Sequence, residues 1–340
     1  MRVGLVLGAG GVIGASWLVG ALEALQDETG WEPGSADHIV GTSAGSVIGA
    51  MAADGVSPSL IGAHMTGAAA DDAVEAEHRA DELSERVAGH ELRLGGLPVP
   101  GPGSMRLAVS TLRNLRRRPA STLMAGLLPQ GFISTDPISR LVRDFVRGDW
   151  PDHPSYWAVA ADYCDGRRVA FGRDDAPPAH VADAVAASCS IPGFYRPVRI
   201  AGRPYVDGGI CSMSNLDLLC GRELDLVLCF NPTSSLAEVA AATPAERIGA
   251  VMRGMSGRRL GHEARKLRAE GTEVVLVQPG AAEVAAMGVN LMARARRAEV
   301  LEIARRSTAL AIRELRADGA ALPGKPRRAR RTAAPARRAA

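Results

Sequence analysis

The chain has 340 residues, of which 46% are hydrophobic and 23% charged, a globular composition with enough apolar bulk for one large domain or two ordinary ones. Aromatic residues make up only 4%, so the core is expected to be built from Ala, Val, Leu and Ile, and base stacking on nucleic acid has little to work with. Five cysteines (Cys164, Cys189, Cys211, Cys220 and Cys229), an odd number with no C-x-x-C pair, support neither a disulfide framework nor a zinc site, and reduced thiols in a cytoplasmic protein are expected.

Net charge is +3 but unevenly spread. Between Gly319 and Ala340 lie seven basic residues (Lys325, Arg327, Arg328, Arg330, Arg331, Arg337 and Arg338) and no acid; without them the body carries −4. A basic, Pro- and Ala-rich stretch of this kind predicts a disordered tail over 319–340. Its charge suits an anionic lipid surface or nucleic acid, and a solvated tail with no dedicated partner is the alternative. The apolar N-terminus divides into a short run, a glycine loop and a helical segment, unlike a continuous secretory h-region. No run is long enough to span a bilayer. A soluble or peripheral protein is expected, cytoplasmic and peripheral at the inner membrane surface.

In chain order, Arg2–Leu7 predicts a buried strand, Gly8–Gly14 a glycine loop, and Ile13, Trp17, Leu18, Ala21, Leu22 and Leu25 the apolar face of an amphipathic helix. His38–Gly41 predicts a second strand, and Ser43 opens a helix that stops near Gly55. This alternation predicts an α/β fold with a largely parallel sheet. Asp71–Glu91 is acidic and predicts an exposed helix; "GGLPVPGPG" from Gly95 is a break; Ser104–Gly131 alternates apolar residues with arginines, among them Arg113, Arg116, Arg117 and Arg118. Residues 71–131 are therefore expected to form a helical insertion or lid, either packed on the core with its arginines in water or lying at a membrane interface. Strands resume at Tyr156–Tyr163 and Val169–Gly172, joined by a hairpin at "CDGR". A helix over Val181–Ser188, a short strand at Tyr205–Val206, strands at Leu224–Phe230 and Glu273–Val277, and a long Arg-rich helix over Met292–Leu315 complete the series.

Gly41-Thr42-Ser43-Ala44-Gly45 is a G-x-S-x-G pattern between a strand and a helix. The flanking glycines permit a sharp turn that holds the Ser43 hydroxyl clear of the backbone, and the helix that follows aims its dipole at developing negative charge. A serine hydroxyl becomes a useful nucleophile only when a base takes its proton, and acyl transfer also needs oxyanion donors. The backbone N–H groups of Gly10, Gly11 and Val12 in "GAGGVIG" are candidates for those donors. The same glycines approximate a dinucleotide fingerprint, but no acidic residue ends the second strand, which carries the serine turn instead. Seeking the base, none of His64, His78, His90, His153, His180 or His262 follows a strand in a glycine turn, and His262 sits on a basic, solvated helical stretch. Asp207, followed by Gly208 and Gly209 in "YVDGG", does. A desolvated carboxylate beside Ser43 could serve as the base alone. Cys189 in "AASCSIPGFYRPV" is expected to pack as a small apolar residue beside the active-site loops.

Four blocks in order, "LVLGAGGVIGASWLVGALEAL", "IVGTSAGSVIGA", "AVAASCSIPGFYRPV" and "YVDGGI", resemble the patatin-like phospholipase family over Val3–Ile210. The resemblance implies a three-layer α/β/α fold, a Ser–Asp dyad of Ser43 (nucleophile) and Asp207 (proton acceptor), and hydrolysis of lipid acyl esters with no metal or cofactor. It implies a lipid or acyl-ester substrate and does not cover the region after Val277; a single hydrolase domain over 1–318 is expected, with transient membrane contact and, in the absence of any nucleic-acid motif, no nucleic-acid partner. Acyl transfer from the same acyl-enzyme, and a non-catalytic lipid-binding protein that keeps the fold, are the alternatives. Two departures stand out: Ile13 occupies the place of a basic residue usual in the family loop, and "CSMSNLDLL" lacks the asparagine–proline character usual after the base.

Overall fold

The computed structural model describes residues 1–66, 101–114, 119–235, 237 and 242–324. The predicted helix at 71–91, Arg116–Arg118 and the basic run from Lys325 to Arg338 lie outside the described residues.

The strands are β1 (Val3–Leu7), β2 (His38–Thr42), β3 (Tyr156–Asp162), β4 (Arg168–Phe171), β5 (Val198–Ile200), β6 (Arg203–Asp207), β7 (Leu226–Phe230) and β8 (Glu273–Val277). They form one sheet in the order β5-β6-β3-β2-β1-β7-β8, with β4 paired to β3. The block β3-β2-β1-β7-β8 is parallel, whereas β4, β5 and β6 join antiparallel, so the sheet is mixed but mostly parallel. The helices are α1 (Gly11–Thr29), α2 (Ala44–Ala53), α3 (Pro58–Thr66), α4 (Met105–Leu112), α5 (Ala120–Leu127), α6 (Asp136–Phe145), α7 (Val181–Ser188), α8 (Pro244–Ala269), α9 (Ala281–Met287) and α10 (Arg297–Ala317).

Successive strand residues point to opposite faces, and here both faces are apolar. Leu5, Leu7, Ile39, Leu228 and Phe230 join α1, α2 and α10 in the larger core. Val6, Val40, Val227 and Cys229 meet Leu260, Ala264 and Leu267 of α8 on the other side. This two-sided burial is why the central strands are continuous apolar runs. The result is the three-layer α/β/α arrangement.

Two boundaries and one burial pattern differ from the sequence-based expectation. Helix α1 starts at Gly11, so the glycine loop proper is only Gly8–Gly10. The same helix is buried nearly all round rather than amphipathic, because α10 covers the side away from the sheet. A Cβ at Gly20 would sit 2.1 Å from the Leu301 carbonyl oxygen, so this glycine lets the two backbones touch. The Arg-rich helix starts at Arg297 rather than Met292. Ahead of it Asn290 forms a turn, its side-chain oxygen accepting the Met292 N–H at 3.0 Å.

Candidate active site

Strand register assembles the site. Leu7 pairs with Gly41, which sets the end of β1 and the glycine loop beside the Ser43 turn. Thr42 pairs with Val159, and Ala160 with Asp207, which brings the end of β6 to the same place. Ser43, between β2 and α2, has φ 52° and ψ −123°, a left-handed backbone that costs energy for any residue but glycine. The surrounding glycines are required by space: a Cβ at Gly41 would lie 2.5 Å from Ser46 Cα, and one at Gly45 would lie 2.0 Å from the Leu7 carbonyl oxygen.

Hydrogen bonds hold this turn. The Ser43 N–H donates to Ser188 Oγ at 2.9 Å, and Ser188 Oγ donates to the Val159 carbonyl at 2.6 Å. The Ser43 carbonyl accepts from Ser46 Oγ at 2.7 Å. Two residues beyond Ser188, the Ser190 carbonyl accepts the Asp207 N–H at 2.9 Å. The "AASCSIP" block therefore braces both residues of the expected dyad from one short segment.

Ser43 and Asp207 are both buried, and the Ser43 side chain lies close enough to the Asp207 carboxyl to lower its pKa. Burial pushes the Asp207 carboxyl up to about 6, while the Gly209 N–H, donating at 2.7 Å, and the Ser43 hydroxyl hold it lower than burial alone would. Cys189 is buried against this pair, its thiol pushed up chiefly by burial, which fits the expected packing role. Among the described histidines, His64 reaches the same cavity, but it bonds the Leu60 carbonyl through Nδ1 and stacks edge-on against Phe145. His262 is exposed on α8.

Gly11 and Val12 occupy the first turn of α1, where backbone N–H groups have no intrahelical acceptor, and both line the cavity with Ser43. The neighbouring Ile13 N–H is taken by the Leu291 carbonyl at 3.0 Å. The Ile13 side chain is fully buried in the larger core. Gly11 has φ 61°, and a Cβ there would lie 2.9 Å from the Leu291 carbonyl oxygen. The segment between α9 and α10 thus lies against the glycine loop and contributes Met292 to the cavity wall. It is anchored by Trp17 Nε1, which donates to Glu283 of α9 at 2.6 Å.

The cavity itself is almost entirely apolar. Val47, Ile48 and Met51 of α2, Ile61 and Met65 of α3, and Ile138, Leu141 and Phe145 of α6 form its walls beyond Ser43. Neither α3 nor α6 was expected from the sequence pattern, although Thr135-Asp136-Pro137 is a recognisable helix start. Asn215 is a second omission. It lies in the "CSMSNLDLL" stretch, is fully buried with φ 53°, and donates from Nδ2 to Thr42 Oγ1 at 2.9 Å and to the Ser212 carbonyl at 2.6 Å. Glu263 of α8 grips the same turn, accepting from Ser214 Oγ at 2.7 Å and from the Leu216 N–H at 3.1 Å. An asparagine thus does follow the base, without the proline, and ties the base loop to the serine turn.

A mostly parallel α/β sheet whose strand ends gather a strained serine turn, a buried carboxylate and a glycine-loop helix start defines the class. A sequence model of the patatin-like phospholipase family matches residues 5–219, and the chain belongs to that family. No curated protein matches the sequence significantly. Among solved structures the chain is similar to VipD from Legionella pneumophila, at 17% identity over 92% of this chain and 67% of that one, with a TM-score of 0.44. It is similar to the type III effector protein ExoU of Pseudomonas aeruginosa, at 15% identity over 92% of this chain and 53% of that one, TM-score 0.38. It is also similar to human GIVD cytosolic phospholipase A2, at 16% identity over 93% of this chain and 58% of that one, TM-score 0.38. The chain thus spans between about half and two thirds of the length of these proteins.

Proposed function

We propose that the protein is a serine lipid acyl hydrolase. Ser43 Oγ attacks the carbonyl carbon of a fatty-acyl ester while Asp207 accepts the hydroxyl proton. The N–H groups of Gly10, Gly11 and Val12 stabilise the oxyanion, helped by the N-terminus of α2. Asp207 then returns its proton to the leaving alcohol, and the acyl-enzyme remains. A water molecule, deprotonated by Asp207, attacks the acyl carbon; the bond to Ser43 Oγ breaks, Asp207 returns the proton to Oγ, and the fatty acid is released. The observation that carries this reading is a strained serine turn at the wall of an apolar cavity, brought by strand register to a buried carboxylate. Such a cavity has the character of an alkyl-chain site, with one polar edge where the ester would lie.

The domain carrying this activity is proposed to extend over residues 1–318, with 319–340 as a basic tail; α10, the last helix among the described residues, ends at Ala317. No helix among the described residues is long and apolar enough to cross a membrane. We propose a cytoplasmic enzyme that meets its substrate by transient contact at the inner membrane surface, with the tail charges contributing through long-range attraction to anionic lipid. Labelling by a fluorophosphonate probe tests the assignment. The wild-type chain should be labelled and Ser43→Ala should not, and undiminished labelling of folded Ser43→Ala would place the nucleophile elsewhere.

A further inference from the structure

Helices α4 and α5 pack as a hairpin whose two faces differ sharply. The inner face (Leu107, Ala108, Thr111, Thr122, Ala125 and Gly126) is buried. Leu107 and Ala125 join Tyr163, Val206 and Ile210 in a small core of their own. Ser104 caps α4 and also donates to the Tyr163 carbonyl at 2.6 Å. Ser121 Oγ and Thr122 Oγ1 donate to the Ile210 carbonyl at 2.7 and 3.2 Å, three residues past Asp207. The hairpin is therefore fixed to the loop that carries the proposed base.

Its outer face is apolar and exposed among the described residues. Met105, Leu112 and Met124 are 56%, 53% and 56% exposed, and Val109, Leu127 and Leu128 are exposed as well. Single exposed apolar residues need no explanation, but six on one two-helix element, each costly to leave in water, do. The face continues toward the cavity: Leu128 lies against Gly193, and exposed Phe194 stacks edge-on against Tyr195, which lines the cavity with Ser43.

Charge identifies what covers it. Between Glu91 and Asp136 the sequence has no acidic residue and six arginines (Arg93, Arg106, Arg113, Arg116, Arg117 and Arg118). Of these, Arg106 and Arg113 are exposed on the hairpin itself. An element with methionine and leucine outward, arginine beside them and no acid matches the apolar edge and anionic head groups of a bilayer surface.

We infer that the outer face of the α4–α5 hairpin, with Phe194, is the surface that docks the protein on anionic bilayers. The inference rests on the hydrolase reading for its purpose, though its test does not need turnover. Docking here would set the cavity rim at the lipid surface, so that an acyl chain passes into the cavity without crossing water.

The test is co-sedimentation of the full chain, in a Ser43→Ala background, with phosphatidylcholine vesicles and with phosphatidylcholine–phosphatidylglycerol vesicles. Met124→Glu/Leu127→Glu should lower affinity for the anionic vesicles by about tenfold or more, since two large apolar side chains no longer leave water and two negative charges face the lipid. Arg106→Gln/Arg113→Gln should weaken binding and flatten its salt dependence. The control Ile248→Glu/Met252→Glu, on the exposed part of α8, should bind like its parent. All substituted side chains are exposed, and the milder Met124→Gln/Leu127→Gln pair covers any loss of expression. Unchanged binding of folded Met124→Glu/Leu127→Glu, equal loss in the α8 control, or equal parental affinity for both vesicle types would overturn the inference. Fluorophosphonate labelling of the hairpin variants with Ser43 intact reports separately on the hydrolase reading.

Discussion

Ser188 Oγ sits between Ser43 and Val159, accepting the Ser43 N–H and donating to the Val159 carbonyl, so a residue 145 positions downstream holds the serine in its left-handed conformation. The Ser43 N–H is consequently engaged in positioning and not free to face an oxyanion. Ser188→Ala removes both bonds from a fully buried site, at a cost of about 1–3 kcal/mol in stability. With the turn relaxed, the fluorophosphonate labelling rate should fall by about 10–100-fold, because small misplacements of a reacting atom carry penalties of that order. The loss should appear in kcat with KM nearly unchanged. A variant that loses stability but keeps the parental labelling rate per folded molecule would reduce Ser188 to a packing residue.

Asp207 gives the proposed reaction a defined pH dependence. Its carboxyl is raised by burial to about 6 from an ordinary 3.8, and only the ionised form can accept the Ser43 proton. Hydrolysis of a soluble short-chain ester should therefore rise with pH to a plateau above about 6, and Asp207→Asn should abolish it. Stability runs the other way. The folded protein binds this proton more tightly than the unfolded chain, so the group's contribution is full below about 3.8 and is lost as pH rises through about 6. The loss is of order 2–3 kcal/mol. Asp207→Asn has no such dependence, so its Tm should gain on wild type across that window. A Tm difference that is flat in pH would remove burial as the source of the shift.

Much of this site is legible in the sequence because its chemistry is carried by local patterns. Gly41-Thr42-Ser43-Ala44-Gly45 has its strand before and helix after, and Asp207 follows its own strand with two glycines. The local signal ends where the braces begin. Asn215 reaches Thr42 across 173 positions, and nothing near it in the chain announces that contact. Leu291 and Met292 reach the glycine loop from the turn at Asn290, which occupies the point where the expected helix over Met292–Leu315 would begin. Helix α8 was readable in principle: Thr243 and Glu246 form a capping box with Pro244 at the first helical position. Only its basic stretch reads as helical in the sequence, because the exposed apolar residues of its first half do not resemble a packed face.

The cavity walls predict chain-length selection. Leu141 of α6 is buried and borders the cavity. Leu141→Trp adds volume to that wall. If the cavity holds the acyl chain, kcat/KM for long-chain esters should drop about tenfold or more relative to a two- to four-carbon ester, since several methylenes lose their burial at about 0.8 kcal/mol each. Overpacking is expected to cost about 1–3 kcal/mol, so activities must be compared per folded molecule. An unchanged ratio between long and short chains would put the acyl chain somewhere other than this cavity.

Ile13 is the departure from the family pattern that most invites repair, and the structure gives a reason not to attempt it. The family resemblance expects a basic residue there. Here the side chain is wholly buried in the larger core, while its N–H is tied to the Leu291 carbonyl. Ile13→Lys would place an ammonium group among apolar side chains and would remove a packed aliphatic group at the same time. The expected outcome is a destabilisation of about 3 kcal/mol or more and a lower yield of folded protein, measured by urea unfolding. The backbone donors of Gly10, Gly11 and Val12 do not depend on the side chain at 13, so the surviving folded molecules should label with fluorophosphonate no faster than wild type. If Ile13→Lys instead folds normally and labels faster, the lysine must reach the oxyanion from position 13. The missing positive charge would then limit the native rate, and the core position of Ile13 would reflect only the residue now present.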